Sequence, residues 1–185
     1  LGSRNRPCGL SIFSVFDGHG GTLAADFLKD KFSQAVGQSI DLSGISSKSI
    51  RSAFDTLDKE VCELAVLQKN YQTGSCATSL LVIDDTLIIA HSGDSRCIAS
   101  QQQGAVLRAL TTDHKPENIS EFSRIIENGG KIERESSHIA TKNSEFHFAT
   151  KFAHIKSINK MKQLSPDRLY SPWRILPGGL TVSRS

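Results

Sequence analysis

The hydrophobic period of this chain changes at its centre, and that change limits the folds open to it. Ile50, Phe54, Leu57, Val61 and Leu64 fall at steps of four, three, four and three, the spacing that lines apolar side chains along one face of a helix. The helix is expected to end near Lys69 and Asn70. Beyond it, residues 78–83, 87–90 and 97–99 are short apolar runs separated by Asp84 and Asp85 and by Ser92, Gly93 and Asp94. Runs of that length between turn residues read as a meander of antiparallel strands, with a further strand at 105–110.

The flanks fit the same mixture. Residues 10–16 (L-S-I-F-S-V-F) are rich in aromatic and β-branched side chains and read as a buried strand that meets a turn at Asp17 and Gly18. Leu23, Ala24, Phe27, Leu28 and Phe32 have helical spacing, and a Ser/Gly loop is expected over 38–47. After Pro116, Asn118 with Glu121 three residues later resembles a capping box. Ile119, Phe122, Ile125 and Ile126 then make an apolar face, and Gly129 and Gly130 stop the helix. From 133 to 173 the patterning decays. Residues 146–166 hold four lysines, two histidines and no acid, so this stretch reads as a basic surface insertion. Strands and helices come in groups instead of strict alternation, which favours an α+β fold over a doubly wound parallel sheet.

Charge and cysteine usage narrow the function. A net charge of +3 does not suggest a protein held to nucleic acid by phosphate neutralisation. Apolar runs such as 80–83 are far too short to cross a bilayer, so neither nucleic acid nor a membrane is expected as a partner. Cys8, Cys62, Cys76 and Cys97 form no C-x-x-C pair, so they read as free thiols in a reducing compartment rather than a zinc site or disulfide framework. An intracellular setting, cytoplasmic or nuclear, is the expectation. The chain starts at Leu1 and stops inside a strand-like run at 180–183, which reads as a fragment of a single larger domain spanning 1–185.

Three segments could carry chemistry. Phe16-Asp17-Gly18-His19-Gly20-Gly21 places a carboxylate and bare backbone at the end of a strand, where both can approach a ligand. Carboxylate and carbonyl oxygens suit Mg²⁺ or Mn²⁺. A plain Asp-Gly turn explains the same residues. His91-Ser92-Gly93-Asp94-Ser95-Arg96 is equally a turn with a surface Asp–Arg pair, and Thr111-Thr112-Asp113-His114-Lys115-Pro116 a loop in which Asp113 caps the next helix.

Their order is more informative than any one of them. D-G-H-G-G, G-S-C-A-T, G-D-S-R, L-T-T-D-H-K-P, R-I-I-E-N-G-G and finally G-L-T-V-S-R resemble the metal-dependent, type 2C family of Ser/Thr protein phosphatases. The likeness runs over about 10–132 and resumes at 178–184. It implies a four-layer α-β-β-α sandwich with two antiparallel sheets, incomplete in this chain. It also implies a monomer acting on phosphoproteins, with two or more Mg²⁺ or Mn²⁺ ions activating a water for attack on phosphorus. By that resemblance Asp17 bridges the ions, Gly18 supplies a carbonyl ligand, His19 is the candidate general acid, and Asp94 belongs to a third, weaker metal site. Asp113 and His114 are assigned to structure, and the basic insertion lies where the family's flap beside the cleft begins, a candidate docking surface for acidic or phosphorylated segments.

The chain also departs from the family pattern. The family's upstream Arg and acidic pair are not reproduced by Arg4 or Arg6, and its two further metal-ligating aspartates lie beyond the S-R motif. Cys76 stands where Thr is common, and His91 where Asn is. The 185 residues alone are therefore expected to be inactive. A catalytically incompetent, phosphatase-like regulatory or binding module stays open as the alternative to a working phosphatase.

Overall fold

The computed structural model describes residues 9–138, 151–155, 168–170 and 174–176. They fall into two compact units, divided after Asp113. The first holds β1 (Leu10–His19), α1 (Leu23–Ser43), α2 (Ser47–Leu67), β2 (Gly74–Ile83), β3 (Thr86–Ser92), β4 (Ile98–Gln101), a 3-10 turn (Gln102–Gly104) and β5 (Val106–Ala109). The second holds α3 (Ile119–Glu127), β6 (Lys131–His138), β7 (Lys151–Ile155), β8 (Arg168–Tyr170) and β9 (Arg174–Leu176). Every strand pair among the described residues is antiparallel, so the expected α+β class holds.

In the first unit β1, β2 and β3 form one sheet in that order. Strand side chains alternate between faces, and one face of this sheet packs on the helices. Leu10, Ile12 and Phe16 of β1, Leu81 and Ile83 of β2, and Ile88 and Ala90 of β3 join Leu28, Phe32, Val36 and Ile40 of α1 and Ile50, Ala53 and Leu57 of α2. Ser14 and Ser79 bring hydroxyls into this face, and they satisfy each other at 2.8 Å. On the opposite face Phe13 and Val15 are 63% and 64% exposed.

The first two helices depart from expectation where they are joined. The loop expected over 38–47 is mostly helix, because Val36 and Ile40 continue the stripe begun by Phe32 at steps of four and both are buried. The turn shrinks to a few residues after Gly44, whose φ of 73° ends α1 while its N–H donates to the Ile40 carbonyl at 2.7 Å. Ser46 then caps α2: its hydroxyl accepts from the Ser49 N–H at 3.1 Å, and the Ser49 hydroxyl accepts from the Ser46 N–H at 3.0 Å.

The expected meander is broken after β3. Strand β4 pairs with β5 in a separate two-stranded sheet, and the break falls at the Ser92-Gly93-Asp94 turn. The first strand is also longer than expected, since β1 runs through Asp17 and Gly18 to His19 before the chain turns at Gly20 and Gly21.

In the second unit, Phe122 and Ile125 of α3 are buried against Ile132 of β6. Strand β6 pairs with β7, β8 and β9, so part of the stretch over 133–173 is sheet. Asn118 does cap α3 by position but makes no side-chain cap hydrogen bond. Glu121 is buried and accepts from Arg124 at 2.8 Å instead of closing the expected box. Arg4, Arg6, Cys8, the motif at 178–184 and much of the basic stretch over 142–162 lie outside the described residues. No described helix is long and apolar enough to cross a membrane.

Candidate functional site

Alternation along β1 decides where the first motif points. Phe16 turns toward the helices, its ring edge-on to Phe32 with centroids 5.2 Å apart, so Asp17 emerges on the other face and is exposed. The β1–β2 register sets Asp17 opposite Cys76, Gly18 opposite Ser75 and His19 opposite Gly74. Directly opposed residues share a face, which puts the Cys76 side chain beside Asp17.

Cys76 in turn holds the second motif. Its thiol donates to Asp94 Oδ1 at 3.4 Å, and the Asp94 N–H donates back to Sγ at 3.4 Å. Gly93, with φ of 102°, presses its bare Cα onto the same side chain, so a Cβ at 93 would run into the Cys76 sulfur. Thr78 Oγ1 donates to the Ser95 carbonyl at 3.2 Å and fastens the turn further. The end of β1 and the Gly93-Asp94 turn are thus brought together through Cys76, although they are far apart in sequence.

Burial pushes the Cys76 thiol above its ordinary value; the Asp94 carboxylate adds to the rise and the Asp94 N–H opposes it. The thiol is therefore kept as an S–H donor, and only 3% of the residue is exposed. Cys62 is exposed on α2. In a brief iodoacetamide treatment of the folded protein we expect alkylation at Cys62, with Cys76 modified only after unfolding, as read by peptide mass mapping. Labelling of Cys76 as fast as Cys62 would show that the clasp on Asp94 opens freely.

The third motif has a structural place. Arg96 Nε and Nη2 donate to Asp113 Oδ1 and Oδ2, both at 2.9 Å. Asp113 therefore pairs with Arg96 and does not cap α3, whose N-cap is Asn118. The Arg96 partner is Asp113 and not the expected Asp94. His91 Nε2–H donates to the Thr112 carbonyl at 2.9 Å, and the Cys97 N–H donates to Thr111 Oγ1 at 2.9 Å. These bonds zip the segment after β5 to the end of β3 and the segment that follows it.

The donor set fits a hard divalent cation in kind. Asp17 offers an exposed carboxylate, Gly18 the neighbouring carbonyl, and Asp94 a second carboxylate, all oxygen ligands of the sort Mg²⁺ and Mn²⁺ take. In number the set falls short. Among the described residues no group of three or more His, Cys, Asp or Glu could hold a metal ion, so further ligands would have to come from water or other residues.

Sequence reasoning named Asp17, Gly18, His19 and Asp94, and the first three share the end of β1. The parts that Cys76 and Gly74 play in the geometry are not legible in the sequence. The G-S-C-A-T motif was visible, but its meaning lies in the register between β1 and β2.

The sequence pattern of the family described as "Protein phosphatase 2C" matches residues 6–148. "Probable protein phosphatase 2C 11" of Arabidopsis thaliana is 39% identical over 124 residues, covering 66% of this chain and 32% of that protein. "Probable protein phosphatase 2C 59" of Oryza sativa subsp. japonica is 32% identical, covering 66% of this chain and 37% of the relative. The chain thus spans about a third of the length of these curated relatives. Among solved structures, the serine-threonine phosphatase 2C of Toxoplasma gondii superposes with a TM-score of 0.57 at 22% identity, over 71% of this chain and 48% of that one. A C. elegans sex determining protein gives 0.57 at 19% identity, over 92% of this chain and 41% of that one. The likeness to these two structures is one of fold.

Proposed function

The chain belongs to the protein phosphatase 2C family, and from that premise we propose that the whole protein hydrolyses phosphoserine and phosphothreonine in protein substrates, using Mg²⁺ or Mn²⁺. The observation that carries the reading is the end of β1, where an exposed carboxylate, a glycine carbonyl and an imidazole follow one another on a strand fixed by ten register pairs with β2. Family membership favours this enzyme over a binding module without activity.

Asp17 and Gly18 would hold the divalent ions, with Asp94 near a weaker third position. Bound there, the ions would supply charge neutralisation at the phosphate and acidification of water. The leaving group is a serine or threonine alkoxide, which departs poorly unless it is protonated. His19 is half-buried beside Asp17, and its part is to deliver that proton. No cysteine or serine nucleophile is needed, and the S–H of Cys76 is committed to Asp94.

The test is leaving-group dependence. In the whole protein, His19→Ala is expected to lower turnover of a phosphoserine peptide on the order of 10²-fold, within the usual span for general acid catalysis. Hydrolysis of 4-nitrophenyl phosphate, whose leaving group needs no proton, should fall by less than about tenfold. Equal losses on the two substrates would remove His19 from the acid role.

A further inference from the structure

Gly74 opens β2 and is buried opposite His19. Its backbone does not lie in the left-handed region that favours glycine, so backbone conformation does not explain the residue. Space does. A Cβ at 74 would lie 2.5 Å from His19 Cε1, 2.6 Å from Nε2 and 3.5 Å from Nδ1. The imidazole rests on the bare Cα of Gly74, closest through the edge that carries Nε2.

The backbone on either side of His19 has no room to retreat. At Gly18 a Cβ would meet Ala25 Cβ at 3.0 Å and the Gly21 carbonyl oxygen at 3.2 Å. Gly20, at φ of 64°, lies directly against the Gln72 carbonyl. Asn70 Nδ2 donates to the Gly20 carbonyl at 3.4 Å, and the Ala24 N–H donates to Thr73 Oγ1 at 3.3 Å, which ties the start of α1 to the segment before β2. A methyl added at 74 is therefore accommodated most cheaply by turning the ring, the movable partner in this contact.

We propose that Gly74 is the positioning residue for His19, its missing side chain forming the floor that sets the orientation of the imidazole. The proposal rests on the reading of His19 as the general acid and adds to it the residue that aims the proton. Relief of the contact calls for a shift of about 1 Å, and misplacement on that scale can cost a reaction on the order of 10²-fold.

The experiment is a double-mutant cycle in the whole protein with Gly74→Ala, His19→Ala and the pair, assayed on a phosphoserine peptide and on 4-nitrophenyl phosphate, with thermal unfolding measured for each. Gly74→Ala should reproduce the selectivity of His19→Ala, losing on the order of 10²-fold on the peptide and less than about tenfold on the aryl ester. Adding it to His19→Ala should cost no further rate. Any stability that Gly74→Ala loses should return in the double mutant, because the ring it displaces is gone. That recovery keeps the test decisive even if the single variant folds poorly. Equal losses on both substrates from Gly74→Ala, or the same stability loss with and without the imidazole, overturns the proposal. Equal losses from His19→Ala itself would overturn the general-acid reading and the proposal with it, a result distinguishable from failure of Gly74 alone.

Discussion

Asp17→Asn in the whole protein is expected to lower phosphopeptide turnover on the order of 10²–10³-fold, the usual loss when one preorganised charge at a transition state is removed. The side chains have nearly the same shape, and Asp17 is exposed at the end of β1. Stability should therefore stay within about 0.5 kcal/mol of the parent. The loss should appear as weaker Mn²⁺ binding in a calorimetric titration of the metal-free protein, together with lower turnover at saturating substrate. Asp113→Asn is the matched control. It also removes a carboxylate charge, but that carboxylate, 12% exposed, is held by the Arg96 guanidinium through two bonds at 2.9 Å, so its loss should be read in stability and not in metal binding. Its turnover and Mn²⁺ titration should be those of the parent. An Asp17→Asn protein that keeps both would refute the assignment of Asp17 as the metal carboxylate.

What the sequence made legible follows from the range of the forces involved. The stripe from Ile50 to Leu64 and the apolar strands around Leu81 were readable because burial imposes a local period, three or four in a helix and two in a strand. The same rule would have carried α1 to Ile40, but Gly37, Ser39 and Ser43 are poor helix formers and masked the four-residue steps from Phe32 through Val36. Tertiary packing decided the matter. Strand β6, K-I-E-R-E-S-S-H, has one fully buried apolar anchor, Ile132, and is otherwise organised by backbone pairing with three other strands. Backbone pairing leaves no mark on side-chain composition.

The site divides along the same line. Asp17, Gly18 and His19 are contiguous, so their chemistry could be read directly. Gly74 and Cys76 matter because β2 lies beside β1 in one register, and a slip of one residue would move Cys76 to the other face. Two helices separate the strands in sequence, and no local pattern encodes that register. The capping box expected at Asn118 and Glu121 failed for a related reason: Glu121 found a nonlocal burial and a nearer cation, Arg124, three residues on.

Phe32→Ala is expected to cost about 3–5 kcal/mol, the range for truncating a fully buried aromatic ring. Phe32 is 2% exposed and is the point at which three elements meet. Its ring stands edge-on to Phe16 of β1, with centroids at 5.2 Å, and to Phe54 of α2, at 5.4 Å and an interplanar angle of 89°. Such pairs add about 0.5–1.5 kcal/mol beyond area burial, and removing the shared ring breaks both. Leu67→Ala supplies the comparison, since Leu67 is 79% exposed and its truncation should stay within about 0.5 kcal/mol. Denaturant unfolding of the whole protein, followed by far-ultraviolet circular dichroism, reads the two as shifts in midpoint at constant slope. The core variant should also lose turnover before it loses fold, because Phe16 directly precedes Asp17 and is held from the helix side by Phe32. A loss of less than about 1 kcal/mol would mean that the sheet and the helix pair do not depend on this ring. The packing that fixes the end of β1 would then have to be sought elsewhere.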